Sequence, residues 1–275
     1  MGDNMMHGQE NTEQKFIEVS GGKLSYDITG KGPVVLCLPG IGDTRRVYER
    51  FAPGLVQAGY RVLTTDLRGN GQSLGNFASH TLADMANDIK AILDAENIGQ
   101  AYLVAGSISG ASAGLFTIQQ PSRVAGLILF SPVFDSPSRL AMAPLIATLA
   151  LPGLGATVWG AYFKTLYPKR PVDEDYLAHV KANLRQKGAI KSLNDMLWSR
   201  HLDEQVREVK VPTLIFFGTK DADFKSVPEE AARLRAELSQ VQIELLEGFG
   251  HYTQREASEL IMPKTLEWLA NRAAK

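Results

Sequence analysis

This sequence has very little cysteine and no excess of charge of either sign. Cys37 is the one cysteine among 275 residues, so no disulfide can form within the chain, and its apolar surroundings indicate a buried structural thiol. The 29 lysines and arginines nearly balance the 30 aspartates and glutamates, which gives a formal net charge of −1. This balance argues against nucleic-acid binding and favours a small molecule as the partner.

Targeting and membrane segments are also missing from the sequence. Residues 1–10 lack the basic start and apolar core of a signal peptide, and neither end carries a lipidation motif. Residues 140–163 carry no formal charge, but Pro144, Pro152 and two glycines divide them into pieces shorter than the roughly 20 residues of a membrane span. The sequence predicts no membrane span and, with a single cysteine, a cytoplasmic location.

Apolar runs alternate with helical patterns along most of the chain. Two short runs separated by Ser20-Gly21-Gly22 predict an antiparallel hairpin, and Pro33–Leu38 is a continuous apolar run, as in a strand covered on both faces. Predicted strands cover residues 16–19, 23–28, 33–38, 61–65, 101–105, 124–130, 212–217 and 241–246, and predicted helices cover residues 44–57, 82–95, 111–119, 229–238 and 258–273. This alternation predicts an α/β fold whose mostly parallel sheet has helices on both faces.

The alternation stops between the sixth and seventh predicted strands. Residues 136–205 contain helical patterns but no convincing strand, so they are predicted to form an inserted helical cap. Ligands bind beyond the carboxyl ends of the strands in such sheets, and an insertion at that edge covers the crevice. The apolar side chains of Trp159 and Phe163 are therefore predicted to contact substrate. The predicted domains are a loosely ordered tail at residues 1–14, a core formed by residues 15–135 and 206–275, and the cap.

The fifth predicted strand runs without a spacer into Ala105-Gly106-Ser107-Ile108-Ser109. A strand that turns at once into a helix strains the corner residue and requires small residues two positions before and after it. Such a turn exposes the corner hydroxyl, so the pattern predicts a nucleophile elbow at Ser107. A shifted frame would place Ser109 at the corner, but the apolar run ends just before Ser107. Similar small residues occur where a helix packs closely on a sheet or where a phosphate binds. Catalytic partners elsewhere in the sequence must therefore decide whether the turn is a nucleophile elbow.

A serine nucleophile needs a base, and His251 is the best-placed histidine. It lies in a glycine-flanked loop directly after the last strand, at the same sheet edge as Ser107. The other histidines lie in the tail, before a helix or in the cap: His7, His80, His179 and His201.

The base needs a carboxylate to orient it, and Asp221 follows the seventh predicted strand at the same edge. Asp223 is close enough to be an alternative, and Asp135, after the sixth strand, is another. The order Ser, Asp, His along the chain is the order expected for an elbow architecture.

The loop Leu38-Pro39-Gly40-Ile41-Gly42-Asp43 follows the first parallel strand. It is not a dinucleotide-binding fingerprint, because the third glycine of that motif would fall on Arg45. We expect it to be an oxyanion loop in which the backbone N–H of Ile41 joins that of Ile108. One such donor lowers the reaction barrier by about 3 kcal/mol.

Together these motifs resemble the α/β-hydrolase superfamily, over nearly the whole chain from Phe16 to Leu269. The resemblance is carried by Leu38-Pro39-Gly40-Ile41, Asp66-x-Arg-Gly-x-Gly-x-Ser73, the elbow at Ser107, Gly-x-x-Asp221 and Gly-His251. It implies an eight-stranded mostly parallel sheet, a helical cap, and a Ser–His–Asp triad that needs no cofactor and no metal. Pro39 and Gly106 depart from the commonest motif, where histidine or a larger residue is usual, which bears on pocket shape.

The resulting hypothesis is a serine esterase: Ser107, Asp221 and His251 cleave a carboxylic ester or lactone of modest size and apolar character through an acyl-enzyme. A serine at the elbow argues against the dehalogenase and epoxide-hydrolase branches. Alternatives are C–C bond hydrolysis, cofactor-free oxidation or perhydrolysis by the same triad, and a non-enzymatic receptor for a small molecule. The sequence does not predict the oligomeric state.

Overall fold

The computed structural model describes residues 12–135, 147–148, 151, 154–199 and 202–273. These residues contain one eight-stranded sheet with the order β1-β2-β4-β3-β5-β6-β7-β8. The first two strands pair antiparallel and β2 pairs antiparallel with β4, whereas all pairs from β3 to β8 are parallel. The strands are β1 Glu13–Val19, β2 Gly22–Thr29, β3 Val34–Leu38, β4 Arg61–Thr65, β5 Ala101–Gly106, β6 Val124–Phe130, β7 Thr213–Gly218 and β8 Val241–Leu246.

The predicted fold class, an eight-stranded mostly parallel sheet with helices, is confirmed. The central strands are buried along almost their whole length, as their continuous apolar runs require. The first strand begins at Glu13, inside the segment predicted as a tail.

Helices connect the parallel strands and follow the last of them. The described α-helices are α1 Ala52–Gln57, α2 Leu82–Ala95, α3 Ser109–Gln119, α4 Gly155–Thr165, α5 Glu174–Leu184, α6 Ala189–Trp198, α7 Val227–Glu237, α8 Thr253–Glu256 and α9 Ser258–Ala273. Short 3₁₀ helices span Arg45–Tyr48, Pro121–Arg123 and Asp203–Glu208. None of the helices in the described ranges combines the length and the apolar character that crossing a membrane requires.

The predicted helix at residues 44–57 is wrong in its extent. The segment forms a 3₁₀ turn over Arg45–Tyr48 and then the short helix α1. Pro53 lies in the first turn of α1, where its missing N–H costs nothing, but within a continuous helix it would break the hydrogen-bond ladder. In contrast, α2 has the predicted bounds, because Thr81 and Asp84 form a capping box at its start.

The carboxyl ends of four parallel strands meet at one edge of the sheet. Leu38 of β3 is in register with Ala105 of β5, and Gly218 of β7 is in register with Leu246 of β8. The loops that follow these strands carry all of the predicted catalytic and oxyanion residues. Helices α4, α5 and α6 lie between β6 and β7 in the chain, within the predicted cap. Of the predicted cap, residues 136–146, 149–150, 152–153 and 200–201 lie outside the described residues.

Candidate active site

Ser107 occupies the corner between β5 and α3. Its backbone has φ of +56°, a left-handed conformation that is costly for a residue with a side chain. The backbone N–H of Ser107 donates to the carbonyl of Phe130 at 2.9 Å, and its carbonyl accepts from the N–H of Gly110 at 3.0 Å. Hydrogen bonds on both sides of the residue therefore hold the strained turn in place.

The predicted oxyanion loop passes directly beside this serine. A Cβ atom at position 40 would lie 3.2 Å from the Cβ of Ser107, a tight contact, so a glycine here lets the loop lie close to the serine. The hydroxyl of Ser109 donates to the carbonyl of Pro39 at 2.6 Å and ties the loop to the first turn of α3. This contact brings the segments that carry the Ile41 and Ile108 amides together. It also gives Ser109 a buried structural bond.

His251 and Asp221 form a buried pair on the loops after β8 and β7. Nδ1 of His251 lies 2.8 Å from Oδ2 of Asp221, and the Asp221 side chain is fully buried. This bond leaves Nε2 as the ring nitrogen available to a serine. The hydroxyl of the next residue, Tyr252, would lie 3.8 Å from a Cβ at Gly40, so the histidine loop and Ser107 approach the same glycine.

The two alternative acids lie in different places. Asp135 is half exposed and its carboxylate pairs with Arg233 at 3.2 Å. Asp223 is close to the site, with Oδ2 at 3.4 Å from the Nδ1 of His251. The structure therefore brings Asp221 and Asp223, but not Asp135, into contact with the imidazole.

The electric charges around His251 favour its protonated form. Burial lowers the pKa of the imidazole, but the carboxylates of Asp221 and Asp223 outweigh it and raise the pKa to about 9. In the same way, burial raises the pKa of Asp221, and the charge and hydrogen bond of His251 outweigh it, so this pKa lies below its usual value. Both directions favour the charged form, so these interactions stabilise an ion pair between His251 and Asp221.

Ligand atoms of Asp221, Asp223 and His251 lie within 4.8 Å of one another, and within the described ranges this is the one group with such a metal-compatible spacing. The 2.8 Å separation of Nδ1 and Oδ2 is a hydrogen-bond distance. We therefore interpret the group as an acid–base pair with a neighbouring carboxylate.

The remaining described histidines lie in other contacts. His80 Nδ1 is 2.8 Å from Asp195, and His179 Nε2 is 2.8 Å from the hydroxyl of Thr44. His7 and His201 lie outside the described residues.

Helix α5 holds the oxyanion loop through a set of contacts that the sequence did not predict. Tyr176 donates its hydroxyl to Asp43 at 2.6 Å, and the side-chain amide of Asn183 donates to the carbonyl of Gly42 at 3.2 Å. Burial raises the pKa of Asp43 to about 7, although its hydrogen bonds from Tyr176 and Thr44 act in the opposite direction. The buried bonds of Asp43 and Asn183 therefore fix helix α5 against the oxyanion loop.

The two predicted substrate contacts lie close to this loop and to the histidine loop. The indole of Trp159 packs on Gly42, because a Cβ there would lie 3.0 Å from its Cε2 and Nε1. Phe163 is fully buried, with its ring centroid 4.9 Å from that of Tyr252. These positions are compatible with a pocket lining, which remains a prediction.

Comparisons with known proteins give one family and one fold. A family model described as serine aminopeptidase, S33, matches residues 31–258. The chain is 29% identical over 272 residues to a protein of Variovorax paradoxus provisionally named carbamate hydrolase RutD, covering 91% of this chain and 97% of that protein. It is 26% identical over 285 residues to a 2-hydroxy-6-oxononadienedioate/2-hydroxy-6-oxononatrienedioate hydrolase of Comamonas testosteroni, covering 95% and 98%. Among solved structures, an esterase from Exiguobacterium antarcticum superposes with a TM-score of 0.84 at 20% identity, covering 94% and 100% of the two chains.

Proposed function

The chain belongs to the α/β-hydrolase superfamily, in the family described as serine aminopeptidase, S33, and on this premise we propose that it is a serine hydrolase that cleaves carboxylic esters. The observation that carries the proposal is the buried hydrogen bond between His251 and Asp221 on loops that share a sheet edge with the strained Ser107. The family match supports a hydrolase of this superfamily, and the choice of an ester as the substrate is our inference.

In the proposed mechanism His251 takes the proton of Ser107 as the hydroxyl attacks the ester carbonyl. Asp221 keeps the proton on Nδ1, so that Nε2 faces the serine, and stabilises the imidazolium that forms. The backbone N–H groups of Ile41 and Ile108 stabilise the negative charge on the carbonyl oxygen. His251 then returns the proton to the leaving alcohol, and water hydrolyses the acyl-enzyme by the same steps.

The groups near the site favour a substrate that is largely apolar and uncharged. Trp159, Phe163 and Tyr252 are aromatic and almost completely buried. Arg255 is a buried guanidinium that stacks 3.5 Å from the ring centroid of Tyr176, but its charge is already paired with Glu49 and Asp173. A paired cation of this kind does not favour binding of an additional anionic group.

Labelling with a fluorophosphonate tests the proposal directly, because the reagent reacts with an activated serine. We expect covalent modification of the native protein at Ser107 and a loss of ester turnover by at least about 10³-fold in Ser107→Ala. Ser109→Ala tests the alternative corner residue: it should still be labelled at Ser107, but more slowly, because it loses the bond to Pro39 that holds the oxyanion loop. Labelling that survives Ser107→Ala and disappears in Ser109→Ala would refute the assignment.

C–C bond hydrolysis is a second candidate because of one observation, the 26% identity over 285 residues to a 2-hydroxy-6-oxononadienedioate hydrolase. That substrate contains no ester, and its hydrolysis breaks a C–C bond beside a ketone. p-Nitrophenyl esters of graded acyl length and a 2-hydroxy-6-oxo-dienoate, assayed on the same preparation, separate the two functions. Turnover of the dienoate alone, abolished in Ser107→Ala, would replace the ester proposal with this one.

A further inference from the structure

Two carboxylates face the same nitrogen of His251. Oδ2 of Asp221 lies 2.8 Å from Nδ1, and Oδ2 of Asp223 lies 3.4 Å from it. The backbone N–H of Asp223 also donates to Oδ1 of Asp221 at 3.0 Å. A single orienting acid would suffice for a Ser–His–Asp triad, so the second carboxylate requires its own explanation.

The other oxygen of Asp223 contacts helix α4. The phenol hydroxyl of Tyr162 donates a hydrogen bond to Oδ1 of Asp223. The Tyr162 ring packs against Trp159, with 5.4 Å between centroids, and Trp159 in turn packs on Gly42 of the oxyanion loop. Asp223 is therefore bonded on one side to a helix of the predicted cap and lies against the imidazole on the other.

We propose that Asp223 is a positioning residue, a second carboxylate that acts on His251 together with Asp221, and that Tyr162 holds it against the ring from helix α4. The effect of Asp223 on catalysis rests on the proposed function, whereas its effect on the imidazole does not.

The sign of the effect follows from the charges around the ring. The groups that face or adjoin His251 are the carboxylates of Asp221 and Asp223 and the neutral phenol of Tyr252, and the two anions stabilise the imidazolium. A base must be neutral to accept a proton, so activity rises with pH through the pKa of His251. Removing the charge of Asp223 lowers this pKa, and the rising limb of the pH profile moves to lower pH.

The size of the shift is limited by solvent. The Asp223 side chain is 24% exposed, against none for Asp221, so water screens much of its charge. We expect Asp223→Asn to lower the pKa of His251 by about one unit, which corresponds to an approximately tenfold rise in the neutral fraction well below the midpoint. We also expect the plateau of kcat at high pH to fall, because the ring has lost a contact.

The experiment measures the His251 pKa by NMR titration of imidazole-labelled protein without substrate, and separately the pH dependence of kcat/KM. Asp135→Asn is the matched control, because it removes a carboxylate that pairs with Arg233 elsewhere, and should leave both midpoints unchanged. Tyr162→Phe should move the midpoint in the parent protein but not in the Asp223→Asn background, since Tyr162 acts through Asp223. Asp223→Ser removes the same charge and replaces Asp223→Asn if that variant does not fold.

If Asp223→Asn, or Asp223→Ser in its place, leaves the midpoint of the His251 titration unchanged, the role of Asp223 is overturned, even if the protein is an active esterase. Equal shifts from Tyr162→Phe in both backgrounds overturn the link to helix α4. A shifted imidazole titration in a protein that hydrolyses no ester leaves this inference standing and rejects the ester proposal.

Discussion

Glu256 is the residue whose substitution we expect to disturb the histidine loop most. Its carboxylate is 1% exposed and accepts three backbone hydrogen bonds: Oε1 from the N–H groups of Lys169 and Arg170 at 2.9 and 2.8 Å, and Oε2 from the N–H of Gly250 at 2.9 Å. Gly250 directly precedes His251. One side chain thus joins the histidine loop to the segment that follows helix α4.

Glu256→Gln keeps the shape of the side chain but changes one acceptor oxygen into an NH₂ donor. The remaining oxygen satisfies the Lys169 and Arg170 N–H groups, and the NH₂ group then faces the Gly250 N–H. The Gly250 bond is buried, and leaving a buried donor without a partner costs about 1–3 kcal/mol. At roughly 2–4 °C per kcal/mol for a chain of this size class, the midpoint of thermal unfolding should fall by about 5 °C.

Thermal unfolding and kcat/KM on a p-nitrophenyl ester are the assays for this variant. Glu259→Gln is the matched control, because Glu259 lies on α9 next to α8, is half exposed and pairs with Arg170. Exposed pairs contribute about 0–1 kcal/mol, and about 0.5 kcal/mol, the middle of that range, would move its midpoint by about 1–2 °C. Equal midpoints and equal kcat/KM for the two variants would refute the idea that Glu256 positions the histidine loop.

Two further predictions concern the oxyanion loop. Gly42→Ala should destabilise the protein by more than Gly59→Ala in urea unfolding. Both glycines have a positive φ, which costs about 1–2 kcal/mol for alanine, but the new Cβ would meet Trp159 at 3.0 Å at Gly42 and open space at Gly59. Equal losses of stability would contradict the contact with Trp159. Tyr176→Phe should lower the free energy of unfolding by about 1–3 kcal/mol, and by more at pH 8 than at pH 5. Burial raises the pKa of Asp43 to about 7, so the fold loses stability as this carboxyl ionises, and the Tyr176 hydroxyl stabilises the ion by donating to it. An equal loss at both pH values would show that Asp43 does not ionise in this range.

The sheet could be predicted from the sequence because a strand that is buried on both faces leaves a continuous apolar run. The prediction for residues 124–130, for example, matches the buried strand β6 to the residue. The prediction failed at residues 44–57, where the helical pattern conceals a break before Pro53. There a 3₁₀ turn ends and a short helix begins, and the residues at the turn bond to distant parts of the chain: Thr44 to His179 and Tyr48 to the carbonyl of Leu38. Periodicity does not record such contacts.

The candidate site could be predicted as far as it depends on which residues follow the carboxyl ends of strands and on their order along the chain. Ser107, Asp221 and His251 each follow a strand whose carboxyl end lies at one edge, so their proximity follows from the topology. The second contact of His251 with Asp223 did not follow, because two carboxylates two residues apart in a loop cannot be ranked without coordinates. The contacts of Tyr162 with Asp223 and of Glu256 with Lys169 could not be found, since the partners are 61 and 87 residues apart.

Residues 154–199 form hydrogen bonds with three segments around the candidate site: the oxyanion loop, the histidine loop and the loop that carries Asp223. Helix α5 holds the oxyanion loop through Tyr176, the carbonyl of Leu166 accepts the N–H of His251 at 3.0 Å, and Tyr162 of α4 holds Asp223. Ser107 differs, because its backbone bonds are to core residues. A substrate that shifts these helices on binding therefore shifts the base and the oxyanion donors relative to the nucleophile. We therefore expect substitutions in this segment to change kcat as well as KM for ester hydrolysis, because they would move the proposed base and oxyanion donors together with the pocket lining.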